Sequence, residues 1–139
     1  MSLSNIYTAG LHNVGSYQVA GRPYLSGSAG INDSTSERFI FPQVSKSILV
    51  KNTHGSTAIR IGFAPKDDGE FGFTHGAEDN NNYFILNAGK EISFNVKCKE
   101  IFIWTESGAG ASAAQVYAEL TEISDQRMFT LDGVVGVAS

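Results

Sequence analysis

The sequence predicts an all-β protein: a single antiparallel β-sandwich, jelly-roll-like, with an extended N-terminal arm and a C-terminal tail. The first observation is composition, because 15 glycines and only three prolines stand among 139 residues, which is typical of short strands and turns rather than of a helical bundle. The second is the period-two alternation of apolar residues, which indicates half-buried strands. The third is that turn residues interrupt the apolar runs every ~8–12 residues, as in a sandwich or jelly roll.

Residues 1–36 are predicted to form the extended arm. Their apolar residues are dispersed singly among Gly, Ser and Asn, without helical spacing. Gly10, Gly15 and Gly21 would let this arm bend and approach other backbones closely. Aromatic and aliphatic side chains dominate interface energies. The contacts of the arm with neighbouring subunits are therefore expected at Leu11, Val14, Tyr17, Val19 and Tyr24.

Residues 37–123 carry the strand signals and are predicted to form the sandwich, with about seven short strands. Ile59 and Ile61 alternate with Arg60, which is the pattern of a half-buried strand. Ile101–Thr105 is apolar on both faces, which predicts a central strand. In the last strand the alternation places one set of side chains on one face, Ala114, Val116, Ala118 and Leu120, and the other set on the opposite face, Gln115, Tyr117, Glu119 and Thr121.

Residues 124–139 form the predicted C-terminal tail, which is apolar and spaced by glycines. Such a segment is expected either to add a strand to its own sheet or to pair with the edge of a neighbouring subunit. Its predicted interface residues are Phe129, Leu131, Val134 and Val135.

Charge and composition exclude several classes of protein. The net charge of −4, with basic residues scattered along the chain, argues against nucleic-acid binding, which needs clustered Lys and Arg. No stretch approaches the ~18 apolar residues of a membrane helix, so no membrane partner is expected. The N-terminus lacks the pattern of a signal peptide, and the single cysteine excludes an internal disulfide. We therefore expect a protein made in the cytoplasm.

The sequence contains no motif that predicts catalysis, a cofactor or a metal centre. His12, His54 and His75 are far apart, whereas a zinc site needs closely spaced ligands. Cys98 lies between two lysines, which would lower the pKa of its thiol. No cysteine–histidine signature accompanies it, so we interpret Cys98 as a small, half-buried structural residue. The chain is expected not to be an enzyme.

The acidic loop at residues 65–82 is the first place to look for a small ligand. Oxygen-rich loops can hold calcium, although this one does not match the twelve-residue calcium loop. The alternative is that this loop consists of solvated turns that bind no ligand. A sugar could instead stack on the rings of Phe71 and Tyr83. The candidate ligand residues of this loop are Asp67, Asp68, Glu70, Asp79 and Tyr83.

Three stretches of the chain together resemble small virion proteins of marine tailed phages, notably those infecting cyanobacteria. They are the segment from Thr8 to Gly21, the segment from Val44 through Asn52-Thr53 to Ile59–Phe63, and the segment from Asn95 to Ile103. The resemblance implies a β-sandwich subunit of the particle, located in the virion after synthesis in the host cytoplasm. It also implies a head decoration (cement) protein, or else a neck, tail or fibre component.

The expected partners of a decoration protein are the major capsid protein and neighbouring copies of the chain. An extended arm laid across a neighbour can bridge capsomers through main-chain hydrogen bonds. A homo-oligomer is expected, and a trimer would suit three-fold lattice sites. The alternative from another class is a carbohydrate-binding module that uses loops 65–82 and 106–112.

Overall fold

The computed structural model describes residues 21–67, 69–73, 80–128, 130–131 and 137. Within these residues the chain forms eight β-strands and two short 3₁₀ turns. The strands are β1 (Pro23–Ile31), β2 (Glu37–Ile40), β3 (Gln43–Asn52), β4 (Ile59–Gly62), β5 (Phe84–Leu86), β6 (Glu91–Phe94), β7 (Glu100–Trp104) and β8 (Ser112–Ser124). The turns are Glu70–Gly72 and Asp125–Arg127.

The strands form two four-stranded antiparallel sheets. Sheet A has the order β1-β8-β3-β6, and sheet B has the order β2-β7-β4-β5. Every strand pair is antiparallel. The prediction of an all-β protein built from antiparallel sheets is therefore confirmed, and the arrangement is consistent with a β-sandwich.

The main hydrophobic core contains inward-facing side chains of both sheets. In sheet A the alternation along β8 buries Ala114, Val116 and Ala118, because successive side chains of a strand point to opposite faces. In sheet B, Ile101 and Ile103 of β7 belong to the same cluster. The other buried members of this core include Ile31, Phe39, Phe41, Val44, Ile48, Val50, Ile59, Ile61, Leu86 and Ile123.

Strand β7 is buried on both faces, as its sequence predicts. All five of its residues are buried. Phe102 and Trp104 face away from the main core and form a second cluster with Ala64 and Phe73. Because both faces are covered, polar alternation is absent and the strand reads as a continuous apolar run.

Strand β1 begins at Pro23, within the segment predicted to be an extended arm. It pairs with β8 from Pro23↔Glu119 to Ile31↔Ser112, so this part of the predicted arm is a strand of sheet A. Tyr24 packs edge-on against Phe41, with ring centroids 5.0 Å apart, inside its own subunit. The predicted end of the arm at residue 36 is therefore wrong, because β1 already begins at Pro23. Its Ser and Gly residues give no apolar alternation, and the strand forms through main-chain pairing with β8. The predicted arm residues Leu11, Val14, Tyr17 and Val19 lie outside the described residues.

Thr121 is a second correction. It was predicted to share a face with Tyr117 and Glu119, but it is fully buried and its hydroxyl donates to the carbonyl of Val44 over 2.8 Å. The pairing of β3 with β8 shifts register between Gln43 and Ser47. Such an irregularity reverses the inside–outside alternation beyond it.

Candidate interaction surfaces

The N-terminal segment joins sheet A through a close main-chain contact with β8. The amide of Leu120 donates to the carbonyl of Arg22 over 2.9 Å, which extends the ladder beyond β1. The backbone at Gly21 lies so near to β8 that a Cβ there would overlap the carbonyl oxygen of Leu120. Glycine is therefore required for this approach. Among the described strands, β1 is at an edge of sheet A, so the described chain begins at this edge.

A polar groove lies beside this junction. It has a volume of about 220 Å³ and is lined by Arg22, Pro42, Gln43, Glu122 and Ser124. Among the described residues, no donor reaches the buried Oε1 atom of Gln43. The groove is therefore lined by side chains of both charge signs, Arg22 and Glu122, beside the start of the described chain.

The outer face of sheet A carries an exposed apolar row. Leu25 of β1 is opposite Tyr117 of β8, and Tyr117 is opposite Leu49 of β3. Leu25 is 77% exposed and Tyr117 is 36% exposed, while Leu49 is half-buried. Large apolar side chains aligned on one face are a candidate contact surface rather than isolated surface residues.

A second exposed apolar group lies on edge strand β5. Phe84 and Ile85 are both more than half exposed. The ring of Phe84 packs edge-on against Phe94 of β6, with centroids 5.6 Å apart. Sheet B thus presents apolar side chains at the edge formed by β5.

The outer face of sheet B is covered by the β4–β5 segment, of which residues 63–67, 69–73 and 80–83 are described. Phe73 packs edge-on against Phe102 at 5.3 Å, and Tyr83 packs edge-on against Trp104 at 5.9 Å. Val137 of the C-terminal tail packs against the same cluster. This face is therefore closed by the chain itself, in contrast to the outer face of sheet A.

In the predicted ligand loop, Glu70 uses its carboxylate within the chain. Its oxygens accept hydrogen bonds from the amide and the hydroxyl of Ser36, at 3.3 and 3.0 Å, and from the amide of Asp67 at 3.3 Å. Asp67 itself lies 3.4 Å from the ammonium group of Lys66. The described residues contain no group of three or more His, Cys, Asp or Glu that could hold a metal ion. Asp68 and Asp79 lie outside the described residues.

The two rings considered for sugar stacking both contact an arginine. The guanidinium of Arg60 lies 4.4 Å from the centroid of Tyr83, so one face of that ring is occupied. The guanidinium of Arg38 lies 5.1 Å from the centroid of Phe71 and pairs with the buried carboxylate of Glu100 at 2.7 Å. Phe71 is 48% exposed and has a left-handed backbone with φ 52°. Arg38 and Glu100 are 62 positions apart, so no local sequence motif predicts their contact.

Cys98 is buried, and the expected lowering of its pKa is wrong. Burial raises the pKa of the thiol from its ordinary value of 9.0 to about 11, against a smaller opposing effect of its contact with Ser45. The hydroxyl of Ser45 lies 3.6 Å from the sulfur. Desolvation by burial is the largest cause, and the ammonium group of Lys99 binds the carbonyl of Met128 and the hydroxyl of Thr130. The thiol is therefore neutral near pH 7.

The described part of the C-terminal tail contacts its own domain. Leu131 and Met128 line a small cavity of about 10 Å³, together with Phe63 and Cys98. The contacts of Lys99 hold this stretch in place. The predicted tail residues Phe129, Val134 and Val135 lie outside the described residues.

The predicted site residues do not form one site. Asp67 and Glu70 share a loop, Tyr83 packs on Trp104, Tyr24 contributes to the main core and Leu131 lies beside Cys98. No helix in the described part of the chain is long and apolar enough to cross a membrane. No protein-family model, no curated protein and no solved structure matches this chain.

Proposed function

We propose that this chain is a non-enzymatic structural subunit of a virus particle, and specifically a head decoration (cement) protein. The observation that carries the proposal is the junction at Gly21, where the N-terminal segment joins an edge strand through main-chain contact with β8. A segment that begins at a sheet edge can reach a neighbouring subunit without opening the core. A tail, neck or fibre subunit is the alternative location within the particle.

The strand pairing supports this proposal through the fold. Strand β1 pairs with β8, β2 with β7, β3 with β6 and β4 with β5, which is one long hairpin rolled into two sheets. We therefore propose that the sandwich is a jelly roll, an architecture used by viral capsid and lectin domains. This support is an analogy of fold, which hosts more than one function. Long-range NMR contacts between β3 and β6 test it, and a β2–β3 hairpin would contradict it.

The composition of the N-terminal segment fits attachment by main-chain pairing. Residues 1–20 contain no Asp, Glu, Lys or Arg. A segment without charged side chains gains little from electrostatic attraction, so its affinity must come from backbone hydrogen bonds and apolar contacts. Many copies on a repetitive lattice would add avidity to a weak individual contact.

The carbohydrate-binding alternative has one favourable observation, the exposed ring of Phe71. Aromatic rings are good stacking surfaces for ligands with apolar faces. Two of the other candidates have partners within the chain, because Glu70 binds Ser36 and Arg60 occupies one face of Tyr83. We therefore rank a lectin-like module below a virion subunit.

The decisive experiment is limited proteolysis with chymotrypsin, read by mass spectrometry, on the purified chain and on purified tailed-phage particles that carry it. Chymotrypsin can cut after Tyr7, Leu11 and Tyr17, whereas trypsin has no Lys or Arg site within residues 1–20. Cleavage at these positions in the free chain and protection in the particle are the expected results.

Two results would overturn the proposal. Equal protection in both samples would mean that residues 1–20 belong to the chain's own fold. Absence of the chain from purified particles, with binding to a glycan array that is lost in Phe71→Ala, would favour the carbohydrate-binding alternative.

A further inference from the structure

The apolar row on the outer face of sheet A has a regular distribution of charges around it. The row consists of Leu25, Tyr117 and Leu49, aligned across three adjacent strands. At ~4.8 Å between strands it spans about 10 Å. The neighbouring positions Val116, Ala118 and Ile48 are buried in the core, so this row cannot also turn inward. Among the described residues, no segment covers this row as the β4–β5 segment covers sheet B.

Opposite charges flank the row on its two sides. Lys51 follows Leu49 by two positions on β3, and Glu119 follows Tyr117 by two positions on β8. Because β3 and β8 are antiparallel, the two residues lie on opposite sides of the row. Both are exposed. From strand geometry they stand about 14 Å apart on either side of the row, too far for an ion pair within one subunit.

A second pair of charges repeats this arrangement. Glu91 of β6 is opposite Lys51, and exposed Lys46 lies near Glu119 where β3 shifts its register against β8. Each end of the face thus carries one cation and one carboxylate. At one end the cation is on β3 and the carboxylate on β6, and at the other end the cation is on β3 and the carboxylate on β8.

We propose that this face binds a second copy of the chain about a two-fold axis that runs nearly along the apolar row. A two-fold axis makes an interface self-complementary, because the same patch is used by both subunits. Rotation about this axis places Lys51 of each subunit over Glu119 of the other, and Glu91 over Lys46. The two copies of Tyr117 meet near the axis. Four ion pairs then surround an apolar centre, which is the usual division into core and rim.

Residues 1–20 of a neighbouring copy are the other candidate to cover this face. The charges around the row favour the same face of a second copy instead. That segment contains no charged side chain, so it has nothing to pair with the lysines and glutamates around the row. The inference rests on the proposed assembly role, because a structural subunit must meet copies of itself. It adds a defined surface and symmetry to that role.

The test is sedimentation equilibrium of the purified full-length chain, with Lys51→Glu, Glu119→Lys and the double charge exchange. We expect a concentration-dependent dimer in the unaltered chain. Each single reversal places like charges opposite one another twice per dimer and raises the dissociation constant about tenfold. The double exchange re-forms both pairs with reversed polarity and restores the constant to within about threefold.

Two further variants separate this face from other apolar surfaces. Tyr117→Ser removes the centre of the row and is expected to abolish the dimer, whereas Ile40→Ser alters an exposed apolar residue of sheet B and should leave it unchanged. Circular dichroism confirms that each variant is folded.

Three results would overturn the inference: a monomer at every concentration, a dimer insensitive to Tyr117→Ser, or single reversals that the double exchange does not rescue. Sensitivity to Tyr117→Ser alone would assign the face to an uncharged occupant such as residues 1–20. The sedimentation assay contains no particles. A negative result would therefore contradict the dimer but would not affect the proteolysis test of the proposed function.

Discussion

The outer faces of the two sheets differ in what covers them. In sheet B, Phe102 and Trp104 of β7 lie beneath Phe73 and Tyr83 of the β4–β5 segment. In sheet A, Tyr117 occupies the equivalent outward position of central strand β8 and stays exposed. Both strands are central in their sheets, so pairing within the sheet does not decide burial. The difference shows that a crossing segment converts an outer sheet face into a second core.

Gly62 makes the covered face of sheet B possible. The ring of Trp104 lies over β4, and a Cβ at position 62 would stand 2.9 Å from its Cη2 atom. Substitution would therefore push the ring toward the covering segment. On the outer face of sheet A, by contrast, Leu25 and Tyr117 project toward solvent.

The largest predicted effect contrasts the two faces directly. Trp104→Ala should lower the free energy of unfolding by about 3–5 kcal/mol, because it leaves a cavity between β7 and its covering segment. Leu25→Ala should change the free energy by no more than about 0.5 kcal/mol, because the side chain is exposed. Urea unfolding at pH 7 measures both. Similar losses for the two variants would mean that the faces are not covered differently.

The next prediction concerns the edge of sheet A, where the N-terminal segment meets β8. Gly21→Ala should cost about 1–3 kcal/mol, since its Cβ would overlap the carbonyl oxygen of Leu120. Gly30→Ala is the matched control, because no heavy atom lies within 4 Å of a Cβ at that position. Thermal unfolding of both variants provides the measurement. A Gly21→Ala chain as stable as the control would show that this approach is not tight.

The third prediction concerns Cys98, which lies in the β6–β7 connection between the two sheets. Its pKa is about 11 in the folded chain and 9.0 when unperturbed. The unfolded chain therefore releases the thiol proton first, so this contribution to stability is complete below pH 9 and is lost as pH rises toward 11. At pH 10 the loss is about 1.4 kcal/mol.

The pH dependence of urea unfolding between pH 8 and 10.5 checks this prediction. Cys98→Ala, which cannot titrate, should show a shallower decline over the same range. The thiol should also react with a disulfide reagent much more slowly in the folded chain than in 8 M urea. Fast reaction of the folded chain would contradict the burial of Cys98.

The smallest predicted effect lies in the loops that connect the two sheets. The amide of Gly108 donates to the carboxylate of Asp33 over 2.9 Å and holds the pKa of that carboxyl below its ordinary value of 3.8. The contribution is present above pH 3.8 and is lost as pH falls through the lowered pKa. Asp33→Asn should therefore reduce the melting temperature slightly at pH 7 and not at pH 2. An equal reduction at both values would contradict a role for the charge.

Local sequence patterns predicted most of the sheet structure. Seven strands fall in residues 37–124, close to the predicted limits, because alternation and turn residues act over a few positions. Strand β1 was missed because its Ser and Gly residues give no clear alternation. Thr121 was assigned to the wrong face because a register shift depends on the partner strand. Among the candidate site residues, Glu70 lies in the β4–β5 segment and Tyr83 directly precedes β5, and the sequence did not predict their partners Ser36 and Arg60.

The sequence by itself determined the all-β class, the central position of β7 and the alternating faces of β8, because a side chain's direction along a strand has a period of two. Only the tertiary structure decided which outward faces are covered, that Glu70 is bound to Ser36, and that the pKa of Cys98 rises rather than falls. These properties depend on contacts between residues tens of positions apart. Burial and desolvation arise from such contacts, and no local pattern encodes them.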